Sequence, residues 1–206
     1  MDVDARKYIR LATNGVLAFR FRGLKSWGDY PSYLYYGGNS ELRGYEYLEF
    51  LGNKSFFADA ELRFPLIEAA LTPLGVIGGL RAVAFANFGG SQLQQNSLTL
   101  WTSEPQTVVP IVGYTQNPFT GEITPVPGTP YQVNGFRLVD SRASYGIGLE
   151  TFALGFPIHF DWSWRTLFNP AWEDYVYSYR AGLDGDSSGS HWLRKPKFSI
   201  WIGYDF

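Results

Sequence analysis

His159, Asp161 and Ser163 alternate along residues 156–165. A histidine base, an orienting carboxylate and a hydroxyl nucleophile are the residue types of acyl transfer. On a strand, residues i and i+2 point the same way but stand about 7 Å apart, beyond direct hydrogen-bond reach. Oxyanion donors are not evident nearby, so the three read as part of a polar wall and no enzymatic activity is expected. A second candidate, Asp184-Gly185-Asp186-Ser187-Ser188-Gly189, opens like a calcium loop. Its twelfth position is Lys195, where a bidentate glutamate belongs. A solvated turn is the expectation there, and neither a metal nor a cofactor is predicted. The chain has no cysteine, so thiolate metal sites and disulfides are excluded.

The third candidate is a glycine-rich, aromatic stretch without a period. The stretch Tyr35-Tyr36-Gly37-Gly38-Asn39-Ser40-Glu41-Leu42-Arg43-Gly44-Tyr45 fits neither a strand nor a helix period. Long loops without period are functional or disordered, and the aromatic content argues against disorder. A structured loop that docks elsewhere on the chain is expected.

Two-residue alternation supplies the surfaces on which such a loop could dock. Residues 3–11 alternate weakly and lead into a turn at 12–15, where Asn14-Gly15 is a hairpin signal. In residues 16–25, Leu17, Phe19 and Phe21 oppose Arg20 and Arg22. In 56–66, Ala58, Ala60, Leu62, Phe64 and Leu66 oppose Asp59, Glu61 and Arg63, and Pro65 argues for strand over helix. Residues 67–74 are expected to turn the chain. Residues 76–89 set Leu80, Ala82, Ala84, Ala86 and Phe88 against Arg81, Val83, Phe85 and Asn87. A long loop rich in Gln, Thr and Pro follows over 90–135, with a small hairpin expected around 117–121. Residues 137–150 and 156–165 form two more strands joined by a tight link at 151–155. In the second of these, Phe156, Ile158, Phe160, Trp162 and Trp164 form the apolar side. After a third long loop at 166–195, the closing stretch 197–206 places Phe198, Ile200, Ile202, Tyr204 and Phe206 on one uncharged face.

Seventeen basic and nineteen acidic residues give a net charge of −2, so nothing draws the chain to nucleic acid. Its 206 residues suit a single domain, and its 23 glycines and many aromatics favour strands and turns. Apolar runs long enough for a transmembrane helix are absent, and Met1-Asp2-Val3-Asp4-Ala5-Arg6-Lys7 lacks the apolar region of a signal peptide. The connections alternate short and long, as in outer-membrane barrels with short periplasmic turns and long extracellular loops. Strands of about ten residues match a tilted transmembrane strand, and aromatics gather toward strand ends like an interfacial girdle. The charges set inward (Arg20, Arg22, Arg63, Arg81, Arg142, Arg165 and Lys197 against Asp59, Glu61, Asp140, Glu150, Asp161 and Asp205) are nearly balanced in sign. A lumen filled by ion pairs or plugged by a loop fits this better than an ion-selective pore. The fold expected is an all-β, antiparallel transmembrane barrel, with lipid as its surroundings.

In order and spacing, several motifs resemble the C-terminal half of the bacterial surface-antigen barrels, the BamA/TamA superfamily. Gly37-Gly38 and Leu42-Arg43-Gly44-Tyr45 resemble the family's loop that folds back into the lumen. Glu61-Leu62-Arg63-Phe64-Pro65 resembles its next strand, and Phe85-Ala86-Asn87-Phe88-Gly89 the strand after that. Phe198, Ile200, Ile202, Gly203, Tyr204 and Phe206 resemble the family's C-terminal assembly signal. The resemblance implies a bacterial outer-membrane location and a role in inserting or exporting outer-membrane or surface proteins, with client proteins and assembly machinery as partners. It also implies a lock in which Arg43 meets acidic residues of the inner wall. The family's second acidic position is Asn87 here, so the expectation is an Arg43–Glu61 pair with Asn87 in support by hydrogen bonding. The parent would be a sixteen-stranded barrel of which this chain carries about the last seven or eight strands, without the periplasmic (POTRA-like) modules. Missing N-terminal strands or another chain would then complete the wall. A small structural or adhesin-like barrel with partner-binding loops is the alternative.

Overall fold

A computed structural model of the protein describes residues 1–11, 14–72, 75–93, 96–153, 156–178, 193–204 and 206. In chain order its elements are β1 (Asp2–Arg10), β2 (Val16–Lys25), β3 (Leu34–Tyr36), β4 (Phe50–Gly52), β5 (Lys54–Thr72), β6 (Gly75–Gln92), β7 (Trp101–Thr102), β8 (Gln106–Val108), β9 (Ile111–Gln116), β10 (Ile123–Pro127), β11 (Tyr131–Val133), β12 (Arg137–Leu138), β13 (Ser141–Ala153), β14 (Phe156–Thr166), α1 (Pro170–Val176) and β15 (Lys197–Ile202). Among the described residues these elements are all-β and antiparallel apart from α1. The protein divides into two compact units. The first holds residues 1–98, 140–165 and 196–206, and the second holds residues 99–139 and 166–195.

The first unit is built on a seven-stranded sheet in the order β1-β2-β5-β6-β13-β14-β15. These are the seven stretches whose alternation is visible in the sequence. Register aligns that alternation across the sheet: Arg20 faces Asp59, Asp59 faces Asn87, and Asn87 faces Ser144. One face is therefore charged and polar and the other apolar, since a strand's side chains alternate with period two. Burial runs opposite to that of a water-soluble sheet. On the polar face Asp59, Glu61, Arg63, Asn87, Glu150, His159, Asp161 and Arg165 are buried, whereas on the apolar face Phe21, Phe64, Tyr145, Ile147, Ile200 and Ile202 are exposed. Ion pairs cross the polar face. Arg81 pairs with Glu150, its direct neighbour on β13, and Arg20 and Arg22 reach Asp4 and Asp2 of β1 at 3.1 and 3.4 Å.

Three expectations from the sequence need correction here. Residues 67–72 do not turn the chain. β5 and β6 run on as a hairpin of 19 and 18 residues, paired as far as Thr72 and Gly75, with a register shift between Pro65 and Ile67 that absorbs the proline. The closing strand stops at Ile202, and Phe206 is buried, unlike its exposed expected neighbours Phe198, Ile200, Ile202 and Tyr204. Once pairing ends, alternation no longer fixes the direction of a side chain, and Phe206 turns to the polar face instead. There Arg63 lies 5.0 Å and Arg20 5.9 Å from its ring centre. Finally, the stretch 166–195 is not loop throughout, because it contains α1.

In the second unit the excursion after β6 is a nested ribbon: β7 pairs β12, β8 pairs β11 and β9 pairs β10. The hairpin expected at 117–121 closes it. Asn117 Oδ1 accepts from the amides of Phe119 and Thr120 at 2.9 and 3.3 Å, and the Gly121 amide donates to the Asn117 carbonyl at 2.8 Å. This is an Asx turn, the local bonding for which asparagine is favoured in turns. Helix α1 begins at the N-cap Asn169, whose Oδ1 accepts from the Trp172 amide at 3.1 Å, with Pro170 in the first turn. Buried Glu173 accepts from the Leu167 amide and the Thr166 hydroxyl, and Trp172 Nε1 donates to the Leu138 carbonyl. The calcium-like stretch Asp184–Gly189 lies outside the described residues, as does Asp205.

Candidate functional site

The loop between β2 and β5 is closed at its stem by Asn53, whose carbonyl accepts from the Ser26 amide at 2.8 Å and whose Nδ2 donates to the Ser26 carbonyl at 3.0 Å. Within it, β3 and β4 pair, and Gly37 and Gly38 both take positive φ (130° and 71°). That conformation is open to glycine and strained for other residues, and it lets the chain reverse tightly enough for Gly38 to bridge Leu42. The Gly37 amide donates to Glu41 Oε2 at 3.1 Å. Burial pushes the Glu41 carboxyl above its ordinary pKa, against the pull of that amide bond. Leu34, Tyr36, Leu42, Tyr45 and Phe57 pack into one apolar cluster, with Leu24 and Phe50 against it. Four of the five come from the loop and one from the polar face of β5, so the loop carries its own small core onto the sheet. Gly89 makes room for this, since a Cβ there would lie 2.8 Å from the Tyr36 ring.

The cluster delivers Arg43, which is 2 % exposed. Its guanidinium donates to Glu61 on β5 through Nη2, while Nη1 lies 3.6 Å from Asp161 Oδ1 on β14. The face of the group rests 4.4 Å from the centre of the Phe85 ring on β6 and 5.7 Å from that of Trp201 on β15. One side chain thus touches four strands. Both carboxylates are themselves anchored. Arg63 Nε donates to Glu61 Oε2 at 2.7 Å, and Trp201 Nε1 donates to Asp161 Oδ2 at 2.7 Å. Trp201 is in turn stacked on His159, 3.6 Å between ring centres and 2° from parallel.

This geometry requires a strongly curled sheet. Neighbouring strands are about 4.8 Å apart, so carboxylates on β5 and β14 would stand roughly 14 Å apart on a flat one. Two glycines of β13 clear the path between them. A Cβ on Gly148 would lie 2.3 Å from Asp161 Oδ1, and one on Gly146 would lie 2.5 Å from the Phe85 ring. Asp161 and Phe85 therefore lean across β13 toward the guanidinium. Gly44, at φ 89°, is required on the loop side, because a Cβ would meet that of Ser163 at 2.9 Å. Past the arginine, the Tyr45 hydroxyl donates to the Ala143 carbonyl at 3.3 Å and Glu46 pairs with Lys197 on β15 at 2.7 Å.

Gly37, Gly38, Leu42, Arg43, Gly44, Tyr45 and Glu61 are thus brought together. Asn87 is not among the partners of Arg43, which is a correction. Its direct cross-strand neighbour is Asp59, to which its Nδ2 donates at 2.6 Å, whereas the direct neighbour of Glu61 is Phe85. Asp161 takes the place expected for Asn87. His159, Asp161 and Ser163 share the polar face without forming a relay: Asp161 is engaged by Arg43 and Trp201, and Ser163 Oγ has no hydrogen-bond partner among the described residues.

Comparison with family models, curated proteins and solved structures gives no match. The geometry alone therefore carries the reading of this site, an arginine-centred clasp between a loop and the polar face of the sheet. Reading the sequence placed Asp161 on that face but did not link it to Arg43. The signal available was Gly146-Ile147-Gly148, two glycines on a polar face where side chains would otherwise separate β6 from β14.

Proposed function

We propose that this chain forms part of the wall of a bacterial outer-membrane β-barrel, with the Arg43 loop folded inside it as a plug. The observation that carries the reading is the inverted sheet, whose charged face is buried around a docked loop and whose aromatic and aliphatic face is exposed. In water such a face would associate or aggregate, but hydrocarbon is its natural solvent. β1 and β15 each have a sheet neighbour on one side only among the described residues. Unpaired edges are costly in lipid, so in this reading they are closed by each other or by strands of another chain.

On the resemblance of the loop, of the Glu61 and Asn87 strands and of the C-terminal stretch to the BamA/TamA superfamily, the role we assign is assembly or export of outer-membrane or surface proteins. Refolded into phospholipid vesicles, the protein should show heat-modifiable gel migration, and brominated lipid should quench tryptophan through the outward Trp162 and Trp164. A monodisperse, detergent-free soluble protein without heat-dependent mobility would overturn the barrel. Vesicles containing the protein should also accelerate folding of an added unfolded barrel protein over empty vesicles; equal rates would overturn the assembly role alone. A second reading, a barrel that binds a partner through its loops, is favoured by the ribbon tip, where Phe119 is 96 % exposed and Ile123, the first residue of β10, is exposed as well.

A further inference from the structure

The apolar face of the seven-stranded sheet is interrupted near the loop end of β1, β2 and β5 by a groove of about 450 Å³. Its floor is Gly23, and Val3, Phe21, Phe56 and Leu98 form its walls. The rings of Phe21 and Phe56 stack at 6.1 Å, and a Cβ on Gly23 would meet the Phe21 ring at 3.2 Å. Any side chain at position 23 would therefore crowd the groove. Lys25 and Lys54 also line it, with Met1, Leu24 and Ser55, and among the described residues no carboxylate does.

The two lysines are direct cross-strand partners in the register of β2 and β5. Like charges placed directly opposite one another destabilise a sheet. Here both sit on the outward, otherwise apolar face, and Lys54 Nζ donates to the Asn96 carbonyl at 3.0 Å. An anion between the two ammonium groups would convert this repulsion into a pair of charge-assisted hydrogen bonds. Below them lies a slot of the right chemistry for hydrocarbon, continuous with the exposed apolar face.

We propose that this groove is a binding site for a membrane lipid with a net-anionic, phosphate-bearing head. One acyl chain lies along Phe21, Gly23 and Phe56, and the phosphate lies between Lys25 and Lys54. The site rests on the reading of this face as lipid-exposed. Its occupant follows from charge complementarity and from the position of the lysines at the end of the apolar face, where long cationic side chains reach the head-group level.

The test is native mass spectrometry of the full chain refolded in mixed vesicles of phosphatidylglycerol and phosphatidylcholine, then extracted in mild detergent. The wild type should retain one phosphatidylglycerol in preference to phosphatidylcholine. Lys25→Gln/Lys54→Gln should lose that preference by about tenfold, at least the discrimination expected from two charge-assisted contacts. Gly23→Leu, which fills the groove and leaves the lysines, should also reduce retention. Equal retention of both lipids by the wild type, or unchanged preference in the double variant, overturns the site. Heat-modifiable migration is measured on the same samples. If it is absent in the wild type the membrane reading fails, whereas its persistence without lipid preference sinks only the groove.

Discussion

Glu61 and Asp161 hold the same guanidinium although β6 and β13 lie between their strands. The loop is thereby fixed to both sides of a curled sheet at once, and the curl is fixed by the loop. Breaking a buried ion pair from one side leaves an uncompensated charge. Glu61→Gln strips a partner from both Arg43 and Arg63 and should lower stability by about 3–5 kcal/mol. Asp161→Asn keeps an acceptor at the longer contact and should cost about 1–2 kcal/mol. Denaturant titration of the heat-modifiable folded band would measure both, and equal, negligible effects would rule out the clasp.

The glycine lane in β13 gives a sharper test. Gly148→Ala places a methyl group against the Asp161 carboxylate and should cost about 1–3 kcal/mol, as overpacking of a filled site does. In an Asp161→Ala background the same substitution should be nearly neutral. Additive effects in that double-mutant cycle would show that Gly148 does not act through Asp161.

Glu41 predicts a pH dependence. Burial raises its pKa in the folded state, so the folded protein binds its proton more readily than the unfolded chain. The contribution of this group to stability is therefore full below the unfolded pKa of a glutamate and is lost as pH rises through the higher folded value. Glu41→Gln retains an acceptor for the Gly37 amide without the charge. It should stabilise the protein at neutral pH and have little effect well below pH 4.5. Thermal unfolding at the two pH values would show this, and an equal effect at both would count against it.

Phe206 covers two arginines of the polar face and not the apolar side of β15. Phe206→Leu preserves apolar bulk and removes the ring, so it should cost about 0.5–1 kcal/mol, the scale of cation–π contacts. Phe206→Ala should cost more, about 3 kcal/mol, because a buried side chain is truncated as well. Unfolding midpoints of the two variants would separate the contributions, and a Leu variant as unstable as the Ala variant would assign the whole effect to the ring.

The sheet was legible because a two-residue period, repeated over seven stretches, leaves few alternatives. The Arg43–Glu61 pair was legible only through the resemblance of the loop and of the next strand, and a buried arginine's need for a carboxylate agrees with it. Asp161 was hidden because its contact depends on curl, and curl depends on which facing residues lack side chains. Helix α1 was hidden by its length, since seven residues give less than two full turns of period, although Asn169-Pro170 marked its start. Phe206 misled because alternation in sequence continued past the last paired residue. The two long strands β5 and β6 ran on past an expected turn because a bulge, unlike a hairpin, leaves no glycine or asparagine signal at Pro65.

The clasp also sets an order of events. Glu46 and Lys197 are 151 residues apart in the chain, and Tyr45 and Ala143 are 98 apart. Contacts of such separation pay a large closure entropy and form late. The loop's own cluster with Phe57 is built from residues close in the chain, whereas its contacts with β13 and β15 join distant ones. The clasp is thus completed in two stages, a local one on β5 and a later one on the distant strands, and a chaperone that shields the loop's remaining surface would act between them.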